Sequence, residues 1–161
     1  MSRDVGATAD DNSHIVHAED LTPGQVIQLG SHTVCESEII AFATQWDPQF
    51  FHLDAARAAA ESQFGGLIAS GLHTLSIYQR LWVDSRTQPW RVIAGATMSD
   101  VAFLRPVRPG DVLTGHTVID DVRFEPDKHR GRVTFEGALG NQDDKLVLRV
   151  TTAVYLGART A

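Results

Sequence analysis

The chain has 161 residues, 43% of them hydrophobic and 21% charged; these are the proportions of one ordinary globular domain and exclude a disordered, collagen-like or coiled-coil chain. With 14 Lys and Arg against 20 Asp and Glu, the net charge is −6, a poor match to the phosphate backbone of a nucleic acid. The one cysteine, Cys35, can form no internal disulfide; residues 1–20 lack the apolar core of a signal peptide, and no apolar run of about 18 residues exists, so the expectation is a cytoplasmic protein that spans no membrane.

Residues 1–18 contain no aromatic side chain and read as a flexible N-terminal tail that carries His14 and His17. Residues 19–161 read as a single domain. The turn Leu21-Thr22-Pro23-Gly24 opens it, and a short strand follows over Val26–Val34. A helix is predicted over Glu36–Trp46, because Ile39, Phe42, Ala43 and Trp46 share one helical face and Glu36 and Glu38 suit the positive end of its dipole. Asp47-Pro48 stops it, and a loop leads to a second, alanine-rich helix over Asp54–Ser62. After Gly65-Gly66, a longer helix runs from Gly71 to Val83. Arg80 is the only formal charge between Ser62 and Val83, and a helix apolar on nearly all sides is a buried one. From Arg91 the period changes to two. Strands are predicted over Ile93–Leu104 and Val112–Phe124, separated by a bend with Pro106 and Pro109. Two more strands form a hairpin about the Asn141–Asp144 turn: one carries Val133, Phe135, Gly137 and Leu139, the other Leu146, Leu148, Val150, Thr152 and Val154. The order strand, helices, four strands gives an α+β fold with an antiparallel sheet, curved around the long apolar helix.

The loop leaving the first helix carries the chemistry. Asp47 and His52 stand five residues apart among Trp46, Phe50, Phe51 and Leu53. An aspartate and a histidine brought together in an apolar pocket make an acid/base pair around neutral pH. The alternative is that Asp47 caps a turn and His52 is a hydrogen-bonded core residue. His73 is open to the same two readings. Asp47, His52 and His73 fit no zinc spacing, so no metal is expected. Ser70 is not in a Gly-x-Ser-x-Gly elbow, since position 68 is Ile. Neither a dinucleotide fingerprint nor a Walker motif is present, so no cofactor is expected. Arg105 and Arg108 suit either a solvated turn or the phosphates of coenzyme A.

The run Phe42-Ala43…Asp47…His52-Leu53-Asp54, followed by Phe64-Gly65-Gly66-Leu67-Ile68-Ala69-Ser70-Gly71-Leu72 and Phe103-Leu104-Arg105-Pro106-Val107-Arg108-Pro109-Gly110-Asp111, resembles the MaoC-like acyl dehydratases, the hydratase-2 branch of the hotdog fold. The resemblance spans residues 19–157. The sequence departs from the family pattern at Trp46 (Gly), Gln49 (Asn), Phe50 (Pro) and Ser70 (His in many members). The resemblance implies a hotdog fold. It implies an Asp47/His52 pair holding the water that adds to C3 of a trans-2-enoyl thioester, or leaves an (R)-3-hydroxyacyl thioester in reverse. It implies that the Gly71 N–H receives the enolate oxygen, a role suited to the free N–H groups of a helix start. Trp46, Phe50, Phe51, Ser70 and His73 are the implied substrate-binding residues. The substrate would be an acyl-CoA or acyl-carrier-protein thioester, and the assembly a homodimer or larger. The rival readings are a hotdog thioesterase and a non-catalytic acyl-thioester-binding or partner subunit.

Overall fold

The structure, a computed structural model, describes residues 15–159. Four helices and five strands are joined by short turns: β1 (Val26–Thr33), α1 (Glu36–Trp46), α2 (Phe50–Leu53), α3 (Ala55–Glu61), α4 (Gly71–Asp84), β2 (Val92–Phe103), β3 (Val112–Glu125), β4 (Arg130–Gly140) and β5 (Leu146–Gly157). The helix starts are capped. Glu38 reaches back from α1 to the Cys35 N–H (3.4 Å), Asp54 accepts the Arg57 N–H at α3 (2.9 Å), and the Ser70 hydroxyl accepts the Leu72 N–H at α4 (3.2 Å).

All strands pair antiparallel in one sheet of order β1-β3-β4-β5-β2. Strand β4 buries Val133, Phe135, Gly137 and Leu139 in alternation, as its period-two pattern predicts. Helix α4 lies on that face. Ile77, Tyr78, Leu81 and Trp82 join the sheet residues in one apolar core, and Trp82 meets Phe135 edge-on at 5.1 Å. Gly137 is glycine because a Cβ there would run into the Tyr78 ring.

Four expectations change. The tail reading over 1–18 fails at its C-terminal end: Val16 bridges Trp90 and Ala18 is fully buried. His14 and the rest of 1–14 lie outside the described residues. The stretch Phe50–Leu53 is a single helical turn rather than loop, closed by the Asp54 N–H on the Phe50 carbonyl (2.9 Å); four residues are too few for periodicity to reveal. Helix α4 is not buried all round, because Leu72 and Val83 are exposed. In β5, Val147 is buried and Leu146 exposed; the Leu104 N–H donates to the Val147 carbonyl (2.9 Å) and so continues the β2–β5 ladder one residue past β2. Among the described residues, no helix is long and apolar enough to cross a membrane.

Candidate active site

Asp47 ends α1 and His52 sits in the single turn α2, so the half-turn of chain between them folds the two side chains together. His52 is 4% exposed. Its Nδ1 faces the Ile68 carbonyl at 2.7 Å. A carbonyl only accepts, so the neutral ring carries its proton on Nδ1 and leaves the Nε2 lone pair free. That lone pair points at Asp47 Oδ2, 3.4 Å away. Phe51 stands edge-on to the imidazole at 4.5 Å and fixes its plane.

The carboxylate is held as firmly. The Ser70 hydroxyl donates to Oδ2 (2.7 Å) and the Gln49 amide to Oδ1 (2.8 Å). These two bonds, Ser70 first, hold the Asp47 carboxyl below the usual carboxylate range, outweighing the opposing effect of burial. Two hydrogen-bond acceptors, Nε2 and Oδ2, therefore face each other at a separation too long for a good direct bond. A water donating one hydrogen to each satisfies both, and such a water is oriented and polarised for attack.

His52 lines a cleft of about 380 Å³ together with Phe64, Gly71, Thr74, Phe103 and Val147, among others, and Asp47 stands behind it, off the cleft wall. Gly71 is the first residue of α4, so its N–H has no acceptor within the helix. Gly71 has no Cβ, which leaves space beside its Cα. In the structure the Phe103 ring occupies that space: three of its atoms lie 2.8–2.9 Å from where a Cβ would stand. Gly71 is thus needed for Phe103, and Phe103 walls the N–H.

The other expected site residues divide. Ser70, 1% exposed, reaches the pair through Asp47 and caps α4 at the same time. Phe51 packs on His52, and on Phe64 at 5.6 Å. Phe50 turns away under the Arg57 guanidinium (4.4 Å), and Trp46 is 64% exposed; neither lines the cleft. His73 points to the opposite side of α4. It stacks on Phe42 (4.8 Å, 11°) and lies 4.0 Å from Glu38 Oε1, because helical geometry separates it from Gly71 by half a turn. Arg105 and Arg108 reach backbone carbonyls, of Leu146 (2.7 Å) and Phe64 (2.6 Å), and Arg105 lines the cleft. Among the described residues, no group of three His, Cys, Asp or Glu side chains is arranged to hold a metal ion. The sequence reading missed Gln49 and Phe103. Gln49 sits two residues from Asp47 and could have been found as an amide within reach; the Phe103 contact spans 32 positions and leaves no local signal.

The family model for the MaoC like domain matches residues 19–137. The uncharacterized protein YdeM of Bacillus subtilis is 34% identical over 111 residues, which are 69% of this chain and 77% of YdeM. The crystal structure of the MaoC-like dehydratase from Rhodospirillum rubrum is 36% identical and superposes with a TM-score of 0.80 over 91% of this chain and 99% of that one. A conserved protein of Mycobacterium tuberculosis described as a double hotdog fold superposes with a TM-score of 0.72 at 21% identity, over 90% of this chain and 45% of that one; the sheet curved about α4 is that hotdog fold. Matched along residues 19–137 and superposing on these structures, the chain belongs to the MaoC-like domain family.

Proposed function

We propose that this protein is a hydratase/dehydratase that interconverts a trans-2-enoyl thioester and an (R)-3-hydroxyacyl thioester, carried on coenzyme A or on an acyl-carrier protein. The observation that carries the reading is the facing pair of acceptors, Asp47 Oδ2 and His52 Nε2, 3.4 Å apart beside an apolar cleft. In the hydration direction the water held between them adds its oxygen to C3. The C2=C3 electron pair moves to the thioester, whose oxygen becomes an enolate and accepts the Gly71 N–H. The water proton passes to the pair and a proton returns at C2, so the net change is one water added and the carbon–sulfur bond stays intact. A donor placed for the developing charge is worth about 3–4 kcal/mol. Ser70 and Gln49 position Asp47, while Phe64 shapes the cleft wall and Phe51 backs His52 and Phe64.

Residues 19–161 act as one domain, and two copies assemble along β2. That edge strand exposes Val92, Ile93, Met98, Val101 and Phe103, and an apolar strand edge requires a cover. The exposed, unpaired Cys35 suits the cytoplasm.

The test is the loss of enoyl absorbance from a short trans-2-enoyl-CoA, run in parallel with a free-thiol assay. Absorbance loss without thiol release is the expected result. Thiol release would assign the protein to the thioesterases. Silence across short, long, branched and polar acyl groups would assign it to the non-catalytic members.

A further inference from the structure

Arg86, just past the end of α4, is an unsolved charge. Its guanidinium is wedged in the corner of two indoles, 4.4 Å over Trp82 and 4.8 Å over Trp90, whose rings stand at 85°. Its Nε is buried and meets no acceptor among the described residues, and neither does the buried Nε1 of Trp82. Burial lowers its proton affinity, and no carboxylate among the described residues acts in the opposite sense. The side chain as a whole is half-buried; the indole faces offset part of its desolvation, and a cation drawn partly out of water is ordinarily paired. A water would satisfy the N–H and leave the charge uncompensated.

Arg86 lines a cavity of about 570 Å³ between β1 and the segment that follows α4. Gln25, Gln28, Ser85, Thr87 and Gln88 stand around it and supply amide and hydroxyl groups. The other charges on its wall cancel, because Arg159 holds Asp20 through both carboxylate oxygens (2.6 and 2.7 Å). Among the described residues of the wall, Arg86 therefore leaves one positive charge unpaired, in a chain of net charge −6. His52 and Gly71 line a different cleft.

We propose that this cavity is an oxyanion-binding site anchored by Arg86, separate from the Asp47–His52 cleft, which takes a small carboxylate or phosphate. The planar guanidinium, held by its stacking on the indoles, offers two parallel N–H donors to one such group. Polar side chains of the rim complete the shell.

The experiment titrates the full-length protein with inorganic phosphate and, separately, with acetate, at ionic strength held constant with chloride. The readouts are the thermal unfolding midpoint and tryptophan emission, since Trp82 and Trp90 are in contact with the anchor. The expected result is a saturable rise in midpoint with a matching emission change for at least one anion; the one that saturates at lower concentration assigns the class. Arg86→Lys keeps the charge and loses the fork, and weakens binding by about tenfold or more. Arg86→Gln abolishes it if that variant folds. His52→Ala binds the anion unchanged, which separates this site from the proposed reaction. No response beyond that to chloride, an unchanged response in Arg86→Lys, or loss of the response in His52→Ala would overturn the proposal.

Discussion

Helix α1 begins and ends on a histidine–carboxylate pair, and the two are built in opposite ways. At its start, His32 of β1 meets Glu38 directly at 2.8 Å, with both side chains part-exposed (37% and 28%). Glu38 also receives the Cys35 N–H, so this carboxylate ties a strand to a helix start. At its end, His52 and Asp47 stand 3.4 Å apart with side-chain exposures of 5% and 22%. Each is held from behind, His52 by a carbonyl and Asp47 by Ser70 and Gln49. The shorter contact joins His32 Nε2 to Glu38 Oε1 directly, which leaves no room for a water shared between those two atoms. The longer contact leaves the Nε2 lone pair and the second lone pair of Oδ2 open to a water, with His52 and the free N–H of a helix start on one cleft wall.

The strongest way to break this contrast is to exchange each histidine in turn. His52→Ala lowers kcat by about 100- to 10,000-fold, while His32→Ala leaves kcat within about twofold; steady-state hydration kinetics check both. Equal losses would erase the distinction between the pairs. Gly71→Ala comes next. Its methyl collides with the Phe103 ring, which costs about 1–3 kcal/mol of stability by overpacking, read by urea unfolding, and lowers kcat as the N–H is displaced.

Ser70→Ala sharpens the account of Asp47. The variant loses an N-cap worth about 1 kcal/mol and the leading cause of the lowered Asp47 pKa. In the parent, Asp47 stays ionised below the usual carboxylate range. The stability it contributes is therefore fully present above the unfolded value and is lost as pH falls through the lowered one. In Ser70→Ala the folded value rises, so the acid limb of the kcat/KM profile moves to higher pH. An unmoved limb would show that Ser70 does not tune the carboxylate. The smallest effect belongs to the other pair: His32→Gln costs less than about 1 kcal/mol, the loss of one part-exposed hydrogen bond. Urea denaturation of parent and variant measures it.

Much of this was legible in the sequence for local reasons. The period of Ile39, Phe42, Ala43 and Trp46 marks α1, the alternation in β4 marks its buried face, and the five-residue spacing of Asp47 and His52 marks the pair. What sequence could not reveal depends on contacts across the fold. The Ser70–Asp47 bond joins residues 23 apart, and the Phe103 ring fills the space beside Gly71. Exposure of β2 follows from its place at the sheet edge, which no local pattern encodes. His73 shows the limit of reading along one helix, since two positions after Gly71 it already faces Glu38.

The measurement that tests the central claim most directly is a double-mutant cycle on kcat/KM for hydration of a trans-2-enoyl-CoA, with Asp47→Asn, His52→Ala and both together. If the two side chains hold one water, removing either abolishes its activation, and the double variant is no slower than the worse single variant. Losses that multiply would mean that Asp47 and His52 act independently, and would contradict the shared-water site.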